Sequence, residues 1–128
     1  MSKGTKSWRL MDLKYGVRSG TNQILSDASK ASGGEETGLN PHELLEGSLA
    51  ACTAMTMQMY ANRKEWPLKN ANVIVKILEE GKQSVLERTI ELIGDLSKEQ
   101  KDRLIEIADK CPIHKILTGQ VTIHTKSV

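Results

Sequence analysis

The sequence predicts an α+β fold with the element order β-β-α-β-β-α-β, in a single domain over residues 1–128. Two pairs of short segments alternate apolar and polar residues, as β-hairpins do, and a segment with helical apolar spacing follows each pair. Both helical segments begin with residues that cap helices. Because the chain has no Phe, two Trp and two Tyr, we expect aliphatic side chains and Met to fill the core.

The first hairpin is expected to place strands at residues 7–15 and 22–27. The segment between them, "VRSGT", contains Gly and Ser and favours a turn. Residues 28–39 are small and polar and include a Gly-Gly pair, which indicates a surface loop. The first helix is therefore expected to begin after this loop.

Three residues mark the start of the first helix. Asn40 is a favourable N-cap, Pro41 suits the first helical position, and Glu43 can return a hydrogen bond to the Asn40 backbone. This pattern predicts a helix that begins at Asn40.

The apolar residues of this helix cover almost every direction around its axis. They leave Glu46 and Thr53 as a narrow polar edge. A chain of this length has little material to cover a long helix on every side. We therefore expect a second copy of the chain to cover it, and the alternative is burial against the chain's own sheet and second helix.

A second hairpin is expected at residues 71–80 and 84–96, with its turn at "EGKQ". The alternation points one set of apolar side chains inward: Val73, Val75, Ile77, Ile90 and Leu92. The other face of this hairpin is expected to lie in water.

The second helix is expected to follow Ser97, which forms a capping-box pattern with Gln100. Its apolar residues, from Leu104 to Cys111, fall on one face, so Cys111 is expected to point into the protein. The last segment, residues 119–128, alternates apolar and polar residues and is expected to form the final strand.

Charge and hydropathy exclude several function classes. With 18 basic and 16 acidic residues, the formal net charge of +2 creates little attraction for nucleic acid or an anionic membrane. The segment "MSKGTKSWRLMDLKY" lacks the apolar stretch of a secretory signal, and no segment has the ~20 apolar residues of a membrane span. We expect a cytoplasmic protein without a nucleic-acid or membrane partner.

The chain has two cysteines, Cys52 and Cys111, and both fall on buried helix faces. In a reducing compartment they are either inert buried thiols or a redox pair. Pro112 can begin a new helical turn, which makes Cys111 a possible N-cap whose thiolate the helix dipole favours. His114 can add to that effect when it is protonated. These patterns leave both alternatives open.

Two other chemistries fit the residues less well. A metal site would use Cys111 and His114 with Cys52 as a third ligand, but a second close ligand pair is missing, and His42 lacks ligand spacing. A Cys-His hydrolase would need a base and an oxyanion hole that nothing in the sequence marks. No metal or other cofactor is therefore expected.

The two cysteine motifs together carry a resemblance to a known family. "NPHELLEGSLAACTAMTM" at residues 40–57, "LIEIADKCPIHKIL" at residues 104–117 and the closing "GQVTIHTK" resemble the osmotically inducible protein C and organic hydroperoxide resistance family. The resemblance runs from about Arg18 to the end of the chain. It implies an OsmC-like fold, in which an intertwined homodimer builds two sheets around central helices and has its active sites at the dimer interface.

The resemblance also implies roles for individual residues. Cys52 matches the family's peroxidatic thiol, and Cys111 matches its resolving thiol. Arg18, in "RSG", matches the arginine that stabilises the thiolate, with a solvated turn residue as the alternative. Members with strong hydroperoxide activity place a glutamate directly after the helix-start proline, where it orients the arginine. Here His42 stands in that position, and Glu43 follows it.

The leading hypothesis for function is a thiol-dependent peroxidase that reduces organic hydroperoxides and is regenerated by an external dithiol. The competing hypothesis is a non-enzymatic dimeric module that binds a small apolar ligand between its helices. In that case the two cysteines are packing residues. Their shared inward orientation favours the redox pair, because the binding hypothesis leaves it unexplained.

Overall fold

The computed structural model describes residues 2–128 and confirms the α+β class. The elements are β1 Lys6–Met11, β2 Lys14–Ser19, β3 Asn22–Asp27, α1 Pro41–Lys64, β4 Leu68–Glu79, β5 Val85–Gly94, α2 Lys98–Ala108 and α3 Pro112–Thr118. They divide into two compact units, Met1–Leu45 and Glu46–Val128. The single domain over residues 1–128 stays a prediction.

The first unit holds a three-stranded antiparallel meander, β1-β2-β3, where two strands were expected. The expected strand at residues 7–15 is broken by a tight turn, because Asp12 adopts a left-handed backbone with φ of 49° and Met11 pairs with Lys14. Asp tolerates that conformation better than most residues. Arg18 consequently lies within β2, opposite Lys6 and Gln23, and not in the turn that the sequence predicted.

The loop after β3 is tied down by one buried carboxylate. Asp27 Oδ2 accepts hydrogen bonds from the Thr37 hydroxyl at 2.6 Å, the Thr37 backbone N–H at 3.0 Å and the Glu35 backbone N–H at 3.3 Å. The Thr37 hydroxyl and backbone N–H hold the pKa of Asp27 below its usual range. The loop that the sequence predicted is therefore ordered through this side chain and contains one short 3-10 turn, Lys30–Ser32.

Helix α1 begins where the sequence predicts. The Asn40 side chain accepts a hydrogen bond from the Glu43 backbone N–H at 2.9 Å, and the Glu43 carboxylate accepts one from the Asn40 backbone N–H at 2.9 Å. The reciprocal capping pattern is thus confirmed, with Pro41 in the first helical position.

In the second unit, α1 buries one stripe instead of its whole circumference. The buried residues recur every four positions: Leu49, Thr53, Met57 and Ala61. The expectation that Thr53 lies on a polar edge was wrong, because its side chain is fully buried. Met55 and Met59 remain 62% and 64% exposed, so this chain by itself covers only part of the helix.

The hairpin β4-β5, α2 and α1 share one core. The predicted inward alternation is confirmed, with Val75 buried and the other four predicted side chains partly buried. The main buried cluster combines residues from α1, β4 and α2: Met57, Ala61, Leu68, Ala71, Leu104 and Ala108. The capping box of Ser97 and Gln100 at the start of α2 is also confirmed.

The end of the chain differs from the prediction. Residues 120–128 have no assigned helix or strand, and Val121 and Ile123 are 58% and 83% exposed. A strand needs a neighbouring strand for its backbone hydrogen bonds. Both sheets in residues 2–128 are completed by β1 to β5, so the alternating segment has no partner strand within the described chain.

Candidate active site

Both cysteines lie in the second unit, on elements that pack against each other. Cys52 lies in the middle of α1, and Cys111 lies between α2 and α3. Cys111 is the N-cap of α3, as predicted, and its sulfur accepts a hydrogen bond from the His114 backbone N–H at 3.4 Å, with Pro112 in the first helical position. Cys111 is fully buried, whereas Cys52 is partly exposed.

The two thiols are free and in contact with each other. The two sulfurs are near enough for each thiol to influence the ionisation of the other. Both residues pack in a small apolar cluster with Leu49 and Val75. The structure therefore brings together the two residues that the sequence proposed as a redox pair.

Their surroundings shift the two pKa values in opposite directions. Burial raises the pKa of the Cys52 thiol, and its hydrogen bond to Cys111 raises it further. Burial also opposes ionisation of Cys111, but hydrogen bonds from Cys52, from the His114 and Ile113 backbone and from Thr53 lower its pKa overall. Within this unit, Cys111 is therefore the better of the two sites for the negative charge.

A charged side chain that the sequence analysis did not single out lies beside this pair. Arg88 donates hydrogen bonds to the Thr53 hydroxyl at 3.1 Å and to the Ala108 carbonyl at 3.4 Å. It also forms a 2.6 Å ion pair with Asp109, although its side chain is only 16% exposed. His114 Nε2 lies 3.6 Å from the same carboxylate. A mostly buried guanidinium is thus held next to the segment that carries Cys111.

The sequence does contain a signal for Arg88. In β5 the side chains of Leu86, Arg88, Ile90 and Leu92 alternate with exposed ones. An arginine in an inward position of a strand must find acceptors inside the protein. That position could have identified it as a buried polar contact.

Arg18 and Glu43 belong to the first unit. The Arg18 guanidinium lies 5.8 Å from the centre of the Trp8 ring. The Trp8 ring lies over Gly16 of β2, so closely that a Cβ atom at that position would collide with the ring. Glu43 is engaged in the helix cap described above. Their relation to the thiols stays a prediction.

A family model described as OsmC-like protein matches residues 33–126, which is most of the chain. This chain belongs to the OsmC-like family. A search of curated proteins finds no match to it. The family assignment confirms the resemblance that the two cysteine motifs carried.

Solved structures share the OsmC-like fold with this chain. A Psychrobacter arcticus protein, whose name refers to osmotic stress induction and detoxification, matches with TM-score 0.76 and 21% identity over 87% of this chain and 85% of that chain. An OsmC-like protein from Mycoplasma pneumoniae matches with TM-score 0.75 and 20% identity over 91% and 86%. A Legionella pneumophila protein named as organic hydroperoxide resistance protein OsmC matches with TM-score 0.63 and 18% identity over 91% and 90%.

Two further observations describe the OsmC-like chain over residues 2–128. That part of the chain has no group of three or more His, Cys, Asp or Glu side chains arranged to hold a metal ion. None of its helices is both long and apolar enough to span a bilayer.

Proposed function

We propose that this chain is a thiol-dependent peroxidase that reduces organic hydroperoxides through Cys52 and Cys111. The observation that carries the proposal is the packing of two free thiols in one cluster, of which one is partly exposed and the other fully buried. Peroxide can reach the exposed thiol, and the buried thiol can react only with its neighbour. The name of the Legionella relative, which refers to organic hydroperoxide resistance, supports the substrate class.

The reaction starts from a reduced pair that shares one proton. When the proton moves to Cys111, the Cys52 thiolate attacks the terminal peroxide oxygen, the O–O bond breaks, and the leaving alkoxide takes the proton from Cys111 to give the alcohol. The Cys111 thiolate then attacks the Cys52 sulfenic acid. A disulfide forms, and the hydroxide that leaves takes a proton from solvent to become water. An external dithiol reduces the disulfide and restores both thiols.

Cys52 needs a positive charge nearby, because its contacts in the second unit raise its pKa. We propose that Arg18 supplies this charge, oriented by Glu43, in an active site completed by a homodimer. A guanidinium can contact a thiolate and a peroxide oxygen together. The proposed reaction uses no cofactor, and the proposed location is the cytoplasm, where dithiol reductants keep thiols reduced.

One equivalent of cumene hydroperoxide tests the proposal. We expect the parent protein to lose two hydrogens by mass spectrometry, as the disulfide forms. Cys111→Ser should consume peroxide once and stop as a sulfenic acid that dimedone traps, and Cys52→Ser should consume none.

The two serine variants also distinguish the alternatives. The reverse pattern would exchange the roles of the two cysteines. Unchanged turnover in both variants would contradict the redox pair and return the cysteines to packing residues, as the non-enzymatic binding module requires.

A further inference from the structure

Arg88 joins the two segments that carry the cysteines. Its Nη1 donates to the hydroxyl of Thr53, the residue after Cys52 in α1, and to the carbonyl of Ala108. The backbone N–H of Cys111 donates to that same carbonyl at 3.3 Å. One guanidinium group therefore bonds to α1 beside the first cysteine and to the turn that holds the second.

We propose that Arg88 is a positioning residue for disulfide formation: it holds α1 and the α2–α3 turn in register, so that Cys52 and Cys111 stay in reach of each other. The inference rests on the proposed function, because it assigns Arg88 to the second step of that reaction. Disulfide formation requires specific distances and angles between the two cysteines. A contact that fixes both segments supports those distances directly.

Thr53 extends this contact to the sulfur itself. The Thr53 hydroxyl influences Cys111 in the direction that lowers the pKa of that thiol, and its oxygen accepts the hydrogen bond from Arg88. Thr53 is fully buried, so water does not compete for this hydrogen bond. Arg88 is thus bonded to a buried hydroxyl that itself lies beside the resolving thiol.

The contact acts through geometry more than through net charge. The ion pair between Arg88 and Asp109 offsets the charge of the guanidinium next to the thiols. Lysine can replace that charge, but its single ammonium group lacks the planar fork that reaches three acceptors. A positioning role therefore predicts that lysine restores only part of the function.

Methyl methanethiosulfonate tests the step without peroxide. The reagent places a methylthio group on Cys52 with loss of sulfinate. Cys111 then attacks the Cys52 sulfur, forms the internal disulfide and releases methanethiol, so atoms and electrons balance. Mass spectrometry separates the methylthio adduct from the closed disulfide, and the rate of adduct loss measures closure.

We expect Arg88→Gln and Thr53→Val to slow closure by about tenfold, the size of losing one charge-assisted hydrogen bond. Arg88→Lys should lie between these variants and the parent. Arg103→Gln is the matched control, because Arg103 bonds to Tyr60 and Glu106 and not to the turn at Cys111. Thermal unfolding of each variant separates loss of the fold from loss of side-chain position. If Arg88→Gln does not fold, Thr53→Val still tests the proposal, because valine keeps the side-chain volume of threonine.

The outcomes separate this inference from the proposed function. Closure in Arg88→Gln and Thr53→Val as fast as in Arg103→Gln would overturn the positioning role, whatever the peroxide assay shows. A parent that closes with the thiosulfonate but does not consume hydroperoxide would overturn the peroxidase proposal and leave the role of Arg88 in disulfide closure standing.

Discussion

Cys52 and Cys111 are the same residue type, yet their surroundings shift their pKa values in opposite directions. The first turn of α3 lowers the pKa of Cys111, because the His114 backbone N–H points at its sulfur. Cys52 lies within the regular helix α1, where backbone N–H groups are already paired. The residue that meets peroxide in the proposed reaction therefore depends on a charge from outside its own helix.

Arg18→Ala is expected to raise the pKa of Cys52 and slow its oxidation. A decrease of about tenfold or more in the rate with cumene hydroperoxide is typical of losing one charged hydrogen-bond donor. Arg18→Lys should restore only part of this rate, because a point charge cannot hold sulfur and peroxide together. Arg9→Ala is the control, since Arg9 is an exposed arginine of the same sheet. Equal rates in Arg18→Ala and Arg9→Ala would refute the assignment of Arg18.

Asp27 gives a pH-dependent prediction at the same scale. Its folded pKa lies below the usual value near 3.8, so the unfolded chain binds the proton more tightly. This stabilisation is present above the unfolded pKa and is lost as the pH falls through the folded pKa. We expect the free energy of unfolding to depend less on pH below about 4 in Asp27→Asn than in the parent. Asp95→Asn, at an exposed position, should keep the parent's slope, and an unchanged slope in Asp27→Asn would contradict the assignment.

At the scale of elements, the start of α1 is specified by its own residues. Two hydrogen bonds between Asn40 and Glu43 satisfy backbone donors that the first turn leaves unpaired. The helix then continues to Lys64 and carries Cys52 near its middle. The local cap therefore fixes the residue at which the helix that carries Cys52 begins.

Asn40→Ala is expected to lower the free energy of unfolding by about 1 kcal/mol, the typical cost of losing an N-cap. Urea denaturation measures it. Asn40→Asp keeps an acceptor for the Glu43 backbone N–H and should remain close to the parent. A loss in Asn40→Asp as large as in Asn40→Ala would show that the cap is not the cause.

At the scale of the whole molecule, large apolar side chains remain exposed in the second unit. Met55, Met59 and Ile74 are 62%, 64% and 67% exposed, and Ile123 in the terminal segment is 83% exposed. Exposed apolar residues in such numbers are typical of interaction surfaces. This pattern supports the homodimer that the helix pattern of α1 predicts.

We expect the protein to sediment as a dimer at micromolar concentration, with a thermal midpoint that rises with protein concentration. Met55→Glu should weaken the dimer, because it places a charge on an apolar face. Gln83→Glu makes the same change in charge in the turn between β4 and β5 and should not affect it. A folded, cooperatively unfolding monomer of the parent at that concentration would exclude the dimer.

The sequence by itself determined the features that depend on interactions between residues close together in the chain. The caps at Asn40, Ser97 and Cys111 depend on hydrogen bonds between residues three positions apart, so their residue types reveal them. The alternation of β4 and β5 follows from the two-residue period of a strand. The proximity of the two cysteines came from the family resemblance, because spacing alone left both thiols as possible packing residues.

Tertiary structure decided the features that depend on distant partners. Thr53 has a polar side chain, yet it is buried, because Arg88, 35 positions away, donates a hydrogen bond to its hydroxyl. The alternating residues at the end of the chain have the pattern of a strand but lack a neighbouring strand among residues 2–128. A residue's pattern states which environment it favours, whereas only the folded chain supplies the donor, acceptor or strand that makes this environment stable.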